Sequence, residues 1–268
     1  MNEFALIRKL FNFGVNTIYS AGRILNILFN NKRTVENKGE IDLVTDADYR
    51  CENYIIDRIL KKYPNHAILT EERGSKNGKS EFLWIIDPLD GTTNYSRKLP
   101  IFSISIAFAI GEDIKFGLVY APRLNSLFSA IKGEGAFENN RKIEVSTIKD
   151  IGKSFLVTGF PYDIRNTDFD NLDIFTILSK KALAIRRLGS ASIDLCYVAS
   201  GIFDCFWELK LKTWDFAAAS LILEEAGGRF TDIHGNDIKL SREATNSVVG
   251  SNSLLHDEIL NIIKIYVS

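Results

Sequence analysis

Residues 101–132 contain three apolar stretches, Ile101 to Ile110, Lys115 to Tyr120 and Ser126 to Lys132. Only Gly111-Glu112-Asp113 and Pro122-Arg123-Leu124-Asn125 separate them. Runs of this length broken by turn residues predict three consecutive antiparallel strands. Two helical patterns come first. Phe4, Ile7, Phe11, Ile18, Ala21, Leu25 and Leu28 recur at helical spacing, which predicts one amphipathic helix over residues 3–29. Asp46 or Asp48 opens a second helix, with Ile55, Ile56, Ile59 and Leu60 on its buried face and Pro64 past its end. Between these helices, Asn30 to Glu40 is polar and is expected to be a mobile loop. Ala67 to Thr70 and Phe82 to Ile86 are strand-like, with a flexible loop from Gly74 to Ser80 between them. Asn139-Asn140 makes the next tight turn. Helices followed by a run of strands predict α+β layers rather than βαβ repeats.

The second half alternates. Strands are expected at Ser154 to Thr158, Ala184 to Leu188, Phe203 to Leu209, Arg229 to Asp232 and Ser247 to Gly250. Helices are expected at Asp168 to Lys181, Ala191 to Ser200, Asp215 to Ala226 and Leu254 to Tyr266. A boundary near residues 146–153 divides an α+β half (1–150) from an α/β half (151–268), with the site expected between them. No internal repeat or low-complexity segment is present.

The composition fits a packed protein: 268 residues, 46% hydrophobic and 25% charged, with net charge −1. That excludes disorder and collagen-like or coiled-coil architecture, and argues against electrostatic binding of nucleic acid. Cys51, Cys196 and Cys205 are odd in number and lack metal-ligand spacing, which fits a reducing compartment. The N-terminal pattern carries Glu3, Arg8 and Lys9 and does not read as a signal peptide. The longest apolar run is too short to span a bilayer. The expectation is a soluble cytoplasmic protein.

Chemistry concentrates in Trp84-Ile85-Ile86-Asp87-Pro88-Leu89-Asp90-Gly91-Thr92-Thr93-Asn94. An apolar strand runs into two aspartates three residues apart and then into Gly-Thr-Thr. Pro88 stiffens the exit, so the Leu89 carbonyl can face the same point as both carboxylates. Hard divalent cations such as Mg²⁺ take such an oxygen-only set. Gly91, Thr92 and Thr93 supply N–H groups at a helix start, an anion site. Three further acidic spots lie at element ends: Thr70-Glu71-Glu72, Thr45-Asp46-Ala47-Asp48 and Thr213-Trp214-Asp215. Each alone reads as a cap or a solvated loop charge. Together with the Asp-Pro-Leu-Asp string they predict a convergent metal site suited to phosphoryl transfer. His66, His234 and His256 are scattered and read as surface or structural. No Ser-His-Asp or Cys-His arrangement points to a covalent nucleophile. Gly133-Glu134-Gly135 reads as a hairpin turn, Phe203, Phe206 and Trp207 as packing, and Lys210 and Lys212 as a solvated face.

These strings resemble the inositol monophosphatase family of Mg²⁺-dependent, lithium-sensitive phosphatases over nearly the whole chain. Asp87 to Asn94 is similar to its first signature. Trp214-Asp215-Phe216-Ala217-Ala218-Ala219 with Glu225-Ala226-Gly227-Gly228 is similar to its second. Lys38 to Thr45 with Asp48, and Thr70-Glu71-Glu72, fall in the family's order. Gly159-Phe160-Pro161-Tyr162 and Arg186-Arg187-Leu188-Gly189-Ser190-Ala191 resemble its bacterial and archaeal branch. The resemblance implies a layered αβαβα sandwich and two to three Mg²⁺ ions. It assigns Glu71, Asp87 and the Leu89 carbonyl to one ion and Asp87, Asp90 and Asp215 to a second, with a third near Glu71. It further implies that Asp48 and Thr92 orient and deprotonate the attacking water, and that Gly91 and Thr92 hold the phosphate. Gly189, Ser190, Ala191 and Glu208 would contact the substrate, and Lys38 would sit in a closing loop. Ser190 stands where many relatives carry Thr.

The implied activity is hydrolysis of inositol 1-phosphate or a related polyol phosphate. Fructose 1,6-bisphosphate, 3′-phosphoadenosine 5′-phosphate and histidinol phosphate are the alternative substrates. Arg186, Arg187 and Lys38 could serve a second phosphate. A regulatory docking role on RNA polymerase or RNA is disfavoured by the near-neutral charge and the complete carboxylate set. A homodimer is expected.

Overall fold

The computed structural model describes residues 2–30, 35–37, 43–76, 80–241 and 244–266. The first elements are α1 (Glu3–Phe29), β1 (Val35–Asn37), β2 (Leu43–Thr45) and α2 (Asp46–Lys62). A first sheet follows: β3 (Ala67–Thr70), β4 (Gly74–Lys76), β5 (Phe82–Asp90), β6 (Ser103–Ile110), β7 (Asp113–Ala121), β8 (Ser126–Ile131), β9 (Ala136–Glu138) and β10 (Arg141–Ile143). The one-turn helix α3 (Thr92–Ser96) lies between β5 and β6. The rest comprises β11 (Phe155–Thr158), α4 (Leu172–Ser179), β12 (Ala184–Arg186), α5 (Ala191–Ala199), β13 (Cys205–Leu211), α6 (Thr213–Glu225), β14 (Arg229–Asp232), β15 (Asn246–Ser251) and α7 (His256–Lys264).

The first sheet has the order β10-β9-β8-β7-β6-β5-β3-β4, and the second β12-β11-β13-β15-β14. The first is antiparallel except where β3 runs parallel to β5. The second is mixed: β11 is parallel to β12 and β13, while β15 is antiparallel to β13 and β14.

Side-chain alternation builds the layers. In β5, Trp84 and Ile86 face α1 and α2 and pack with Leu10, Leu25 and Ile55, while Ile85 faces the other way. That opposite face packs on α5 and α6 through Leu195, Ala218 and Ile222, which also meet Val157, Phe206 and Val248 of the second sheet. Leu156, Trp207 and Val249 point outward against α4 and α7, through Leu178 and Ile259. The result is five layers, αβαβα, as the resemblance implies. Both faces of β5 are covered, hence its near-continuous apolar run. Close approach in the middle layer depends on Gly117, where a Cβ would lie 2.3 Å from the Ala218 carbonyl oxygen. The turn at Gly133-Glu134-Gly135 is clamped to α6, since the Gly133 and Gly135 N–H groups donate to the Glu225 carboxylate.

Several expectations need correction. Val35–Asn37 pairs with Leu43–Thr45 instead of being loop. Lys38 and its neighbours through Asp42 lie outside the described residues. Gly74–Lys76 pairs with β3. Helix α4 starts at Leu172, later than expected, because Asn171 is held at φ 76°. Its buried amide donates to Thr158 Oγ1 and the Gly159 carbonyl and accepts from Trp207 Nε1. Lys210 is not simply solvated. It takes φ 61° in a bulge of β13, and its ammonium lies 2.7 Å from Asp163 Oδ2. His256 is fully buried, between the hydroxyls of Thr231 and Ser251. No described helix is long and apolar enough to cross a membrane, and all three cysteines are buried and free.

Candidate active site

Strand β5 delivers the first carboxylates. Its pairing with β6 is irregular between Asp87, opposite Ser105, and Asp90, opposite Ser103. The bulge re-aims the chain at the strand's end. Asp87 is buried and its Oδ1 accepts the Leu89 N–H at 2.9 Å. Gly91 then turns at φ 92° into α3; a Cβ there would press on the carbonyl oxygens of Ile101 and Gly189 at 3.1 and 3.2 Å. Thr92 and Thr93 form the first turn of α3.

Asp90 points to α5. Its Oδ2 accepts the Ser190 hydroxyl at 2.7 Å, the Ser192 N–H at 2.8 Å and the Ser192 hydroxyl at 2.6 Å. These bonds favour the ionised form, yet burial prevails and pushes the carboxyl up. Ser190 and Ala191, expected at the substrate, therefore also hold Asp90. Gly189 is placed by Asn94, whose amide donates to the carbonyls of Ile101 and Leu188 at 2.8 and 2.7 Å. Neither Ser192 nor Asn94 received a role from the sequence, because Asp90 is 102 residues from Ser192 and Leu188 is 94 from Asn94.

Helix α2 supplies Asp48, fully buried. Asp48 Oδ2 accepts the Thr45 N–H and hydroxyl in a capping box, and Oδ1 lies 3.0 Å from Thr92 Oγ1. Thr92 Oγ1 is also 3.0 Å from the Leu89 carbonyl, so its single proton has two acceptors. Asp215 is the third residue of α6, with Oδ2 accepting the Lys212 N–H at 2.7 Å. Glu71 follows β3, half-buried.

These elements converge on Asp87. Burial pushes its carboxyl well above the ordinary range, and the charges of Glu71, Asp90 and Asp215 push it further. Among the described residues no three acidic, histidine or cysteine side chains already enclose a point at ligand spacing. The donor chemistry nevertheless suits a hard divalent cation: carboxylate and carbonyl oxygens only, crowded enough to repel one another. A cation bound among them would offset that repulsion.

A second acidic group lies beside the first. Burial pushes Glu208 of β13 well up, as do Asp215 and Asp90, while Arg187 opposes. Its carboxylate rests over Gly159, where a Cβ would sit 2.2 Å away. Asp194 of α5, buried and pushed up by burial and then Glu208, was not among the expected site residues. A surface depression of about 980 Å³ lies elsewhere, along α1 with Arg58 and Lys62 of α2. It includes none of these carboxylates.

Residues 7–268 match the sequence model of the inositol monophosphatase family. The chain belongs to that family. The Nus factor SuhB of Escherichia coli K12 is 40% identical over 232 residues, 85% of this chain and 87% of that protein. A fructose-1,6-bisphosphatase/inositol-1-monophosphatase of Aquifex aeolicus is 39% identical over 235 residues, covering 88% and 87% of the two chains. The inositol monophosphatase structure from Anabaena (Nostoc) sp. PCC 7120 superposes with TM-score 0.86 at 34% identity, over 96% of each chain. The family membership makes this chain a phosphatase of the inositol monophosphatase class.

Proposed function

We propose that the protein is a Mg²⁺-dependent phosphomonoesterase that hydrolyses inositol 1-phosphate or a related polyol phosphate to the free alcohol and inorganic phosphate. The observation that carries this reading is the convergence of Glu71, Asp90 and Asp215 on buried Asp87. In this reading Glu71, Asp87, the Leu89 carbonyl, Asp90 and Asp215 hold two to three Mg²⁺ ions. When bound, the ions lower the pKa of water and offset the charge of the phosphate.

The chain's own groups do the rest. Thr92 orients the attacking water through Oγ1, taking a proton from that water as it passes its own to Asp48, 3.0 Å away. Asp48 is suited to receive it, since its other oxygen is fixed by Thr45. The N–H groups of Gly91, Thr92 and Thr93 face the phosphate oxygens. Glu208 accepts hydrogen bonds from ring hydroxyls, and Gly189, Ser190 and Ala191 border the ring. The buried free cysteines fit a reducing cytoplasm, and a homodimer is the expected assembly.

A second reading has one supporting observation. Arg187 lies close enough to Glu208 to act on its charge, so a cation stands beside the substrate end. That suits a second phosphate, as in fructose 1,6-bisphosphate. The Aquifex relative bears both activities in its name. Phosphate release from inositol 1-phosphate, fructose 1,6-bisphosphate and 3′-phosphoadenosine 5′-phosphate, compared by kcat/KM, separates the readings. Preference for inositol 1-phosphate supports the first, and preference for the bisphosphate supports the second. Turnover of none, with docking to RNA polymerase or RNA, would replace both.

A further inference from the structure

We infer that Glu52 is a positioning residue for Glu71, fixing from α2 the turn that carries this metal-site carboxylate. The inference rests on the metal-site reading above and goes beyond it to a residue with no assigned role.

Glu52 is completely buried on α2, an expensive place for a carboxylate unless its oxygens are engaged. Its Oε1 accepts two backbone N–H groups, from Glu72 at 3.1 Å and Arg73 at 3.2 Å. The Arg73 Nε lies 3.3 Å from Oε2, an ion pair not aligned as a hydrogen bond. The turn in question is short. Thr70 of β3 pairs with Gly74 of β4, so only Glu71, Glu72 and Arg73 connect them. Glu52 thus takes both amides that follow Glu71 and also pairs with the Arg73 side chain. Little backbone freedom remains at Glu71.

Asp48 stands one helical turn earlier, four residues before Glu52. Residues at that spacing share a helix face. Asp48 holds Thr92, and Glu52 holds the turn after Glu71. The buried thiol of Cys51 is influenced by Asp48, Asp87 and Glu52 together, which agrees with this neighbourhood. One rigid helix therefore sets the separation between the water-activating corner and the Glu71 corner. A neutral hydrogen-bonding residue could satisfy the two amides, but only an acid also holds Arg73.

Mg²⁺ binding by calorimetry, alongside the Mg²⁺ dependence of phosphate release, tests this for Glu52→Ala, Glu52→Gln, Glu71→Gln and the Glu52→Ala/Glu71→Gln double variant. Loss of a residue that supports a ligand typically costs about 10–100-fold in metal affinity. Glu52→Ala should weaken Mg²⁺ binding by at least about tenfold, with kcat at saturating Mg²⁺ changed far less. Glu52→Gln should recover part of the loss, and the double variant should bind no more weakly than Glu71→Gln alone. Folded Glu52→Ala with native Mg²⁺ affinity, where Glu71→Gln is impaired, would overturn the positioning role alone. Native affinity in Glu71→Gln would overturn the metal reading itself. If Glu52→Ala does not fold, amide exchange in Glu52→Gln and Arg73→Ala decides. Faster exchange at Glu72 and Arg73 with weaker Mg²⁺ binding supports the role, and unchanged exchange and binding contradict it.

Discussion

Ser192 gives both its N–H and its hydroxyl to the same oxygen of Asp90, at 2.8 and 2.6 Å, from 102 residues away. This pair of hydrogen bonds joins the bulged end of β5 to the first turn of α5 and fixes Asp90 through Oδ2. Ser192 also meets Ser103 at 2.7 Å, so the hydroxyl sits within a short polar network. Ser192→Ala removes one hydrogen bond to a charged group and should cost about 1.5–3 kcal/mol of unfolding free energy. Urea denaturation measures this, and a loss under about 0.5 kcal/mol would show that Asp90 is held without it.

Protons should compete with divalent cations at Asp87. Burial and the charges of Glu71, Asp90 and Asp215 raise its pKa, so the metal-free folded chain holds this proton to higher pH than the unfolded chain does. Asp87 alone therefore destabilises the metal-free fold as pH rises through its raised pKa. Mg²⁺ binding should release protons and weaken as pH falls. Calorimetry in buffers of differing ionisation enthalpy counts the protons; no release at mildly acidic pH would oppose this picture.

His256 titrates in the opposite sense. Burial, then Arg229, lowers its pKa from 6.5 to about 4. Its Nε2 and Nδ1 meet Thr231 Oγ1 at 2.9 Å and Ser251 Oγ at 2.8 Å. The unfolded chain takes up the proton first, so stability is complete above about pH 6.5 and falls towards pH 4. The loss should approach about 3 kcal/mol. Comparing denaturation curves of wild type and His256→Gln across this range isolates the effect. An identical pH slope in both would exclude His256 as the source.

At Gly159 the space for a Cβ is occupied by the Glu208 carboxylate. A carboxylate at the end of a flexible stem can move, so Gly159→Ala should fold but displace Glu208. The expected result is a KM for inositol 1-phosphate raised about tenfold, a change of about 1.4 kcal/mol, with Mg²⁺ affinity nearly unchanged. Unaltered KM would remove Glu208 from substrate contact.

Local patterns exposed much of this molecule. Periodicity located α1 and α2, because each buries one face against the first sheet. The β6–β8 meander was visible in its turn residues. Asp87, Asp90 and Asp215 stood out because they lie close to element ends, at the bulged end of β5 and in the first turn of α6. Long-range pairing was not visible in the same way. Nothing local indicates that β3 runs parallel to β5, that Asn171 must take φ 76° to reach Trp207, or that Ser192 holds Asp90. Glu52 carries no local signal, since its reason for burial lies in the amides of Glu72 and Arg73.

The central claim is that the carboxylates around Asp87 hold Mg²⁺ for phosphate-ester hydrolysis. Phosphate release from inositol 1-phosphate by wild type and Asp90→Asn, with Mg²⁺ and with EDTA, tests it most directly. The account predicts Mg²⁺-dependent turnover by wild type, abolished by EDTA and reduced by at least about 100-fold in Asp90→Asn, a barrier increase of about 2.7 kcal/mol. Full activity of Asp90→Asn, or wild-type turnover that survives EDTA, would contradict it.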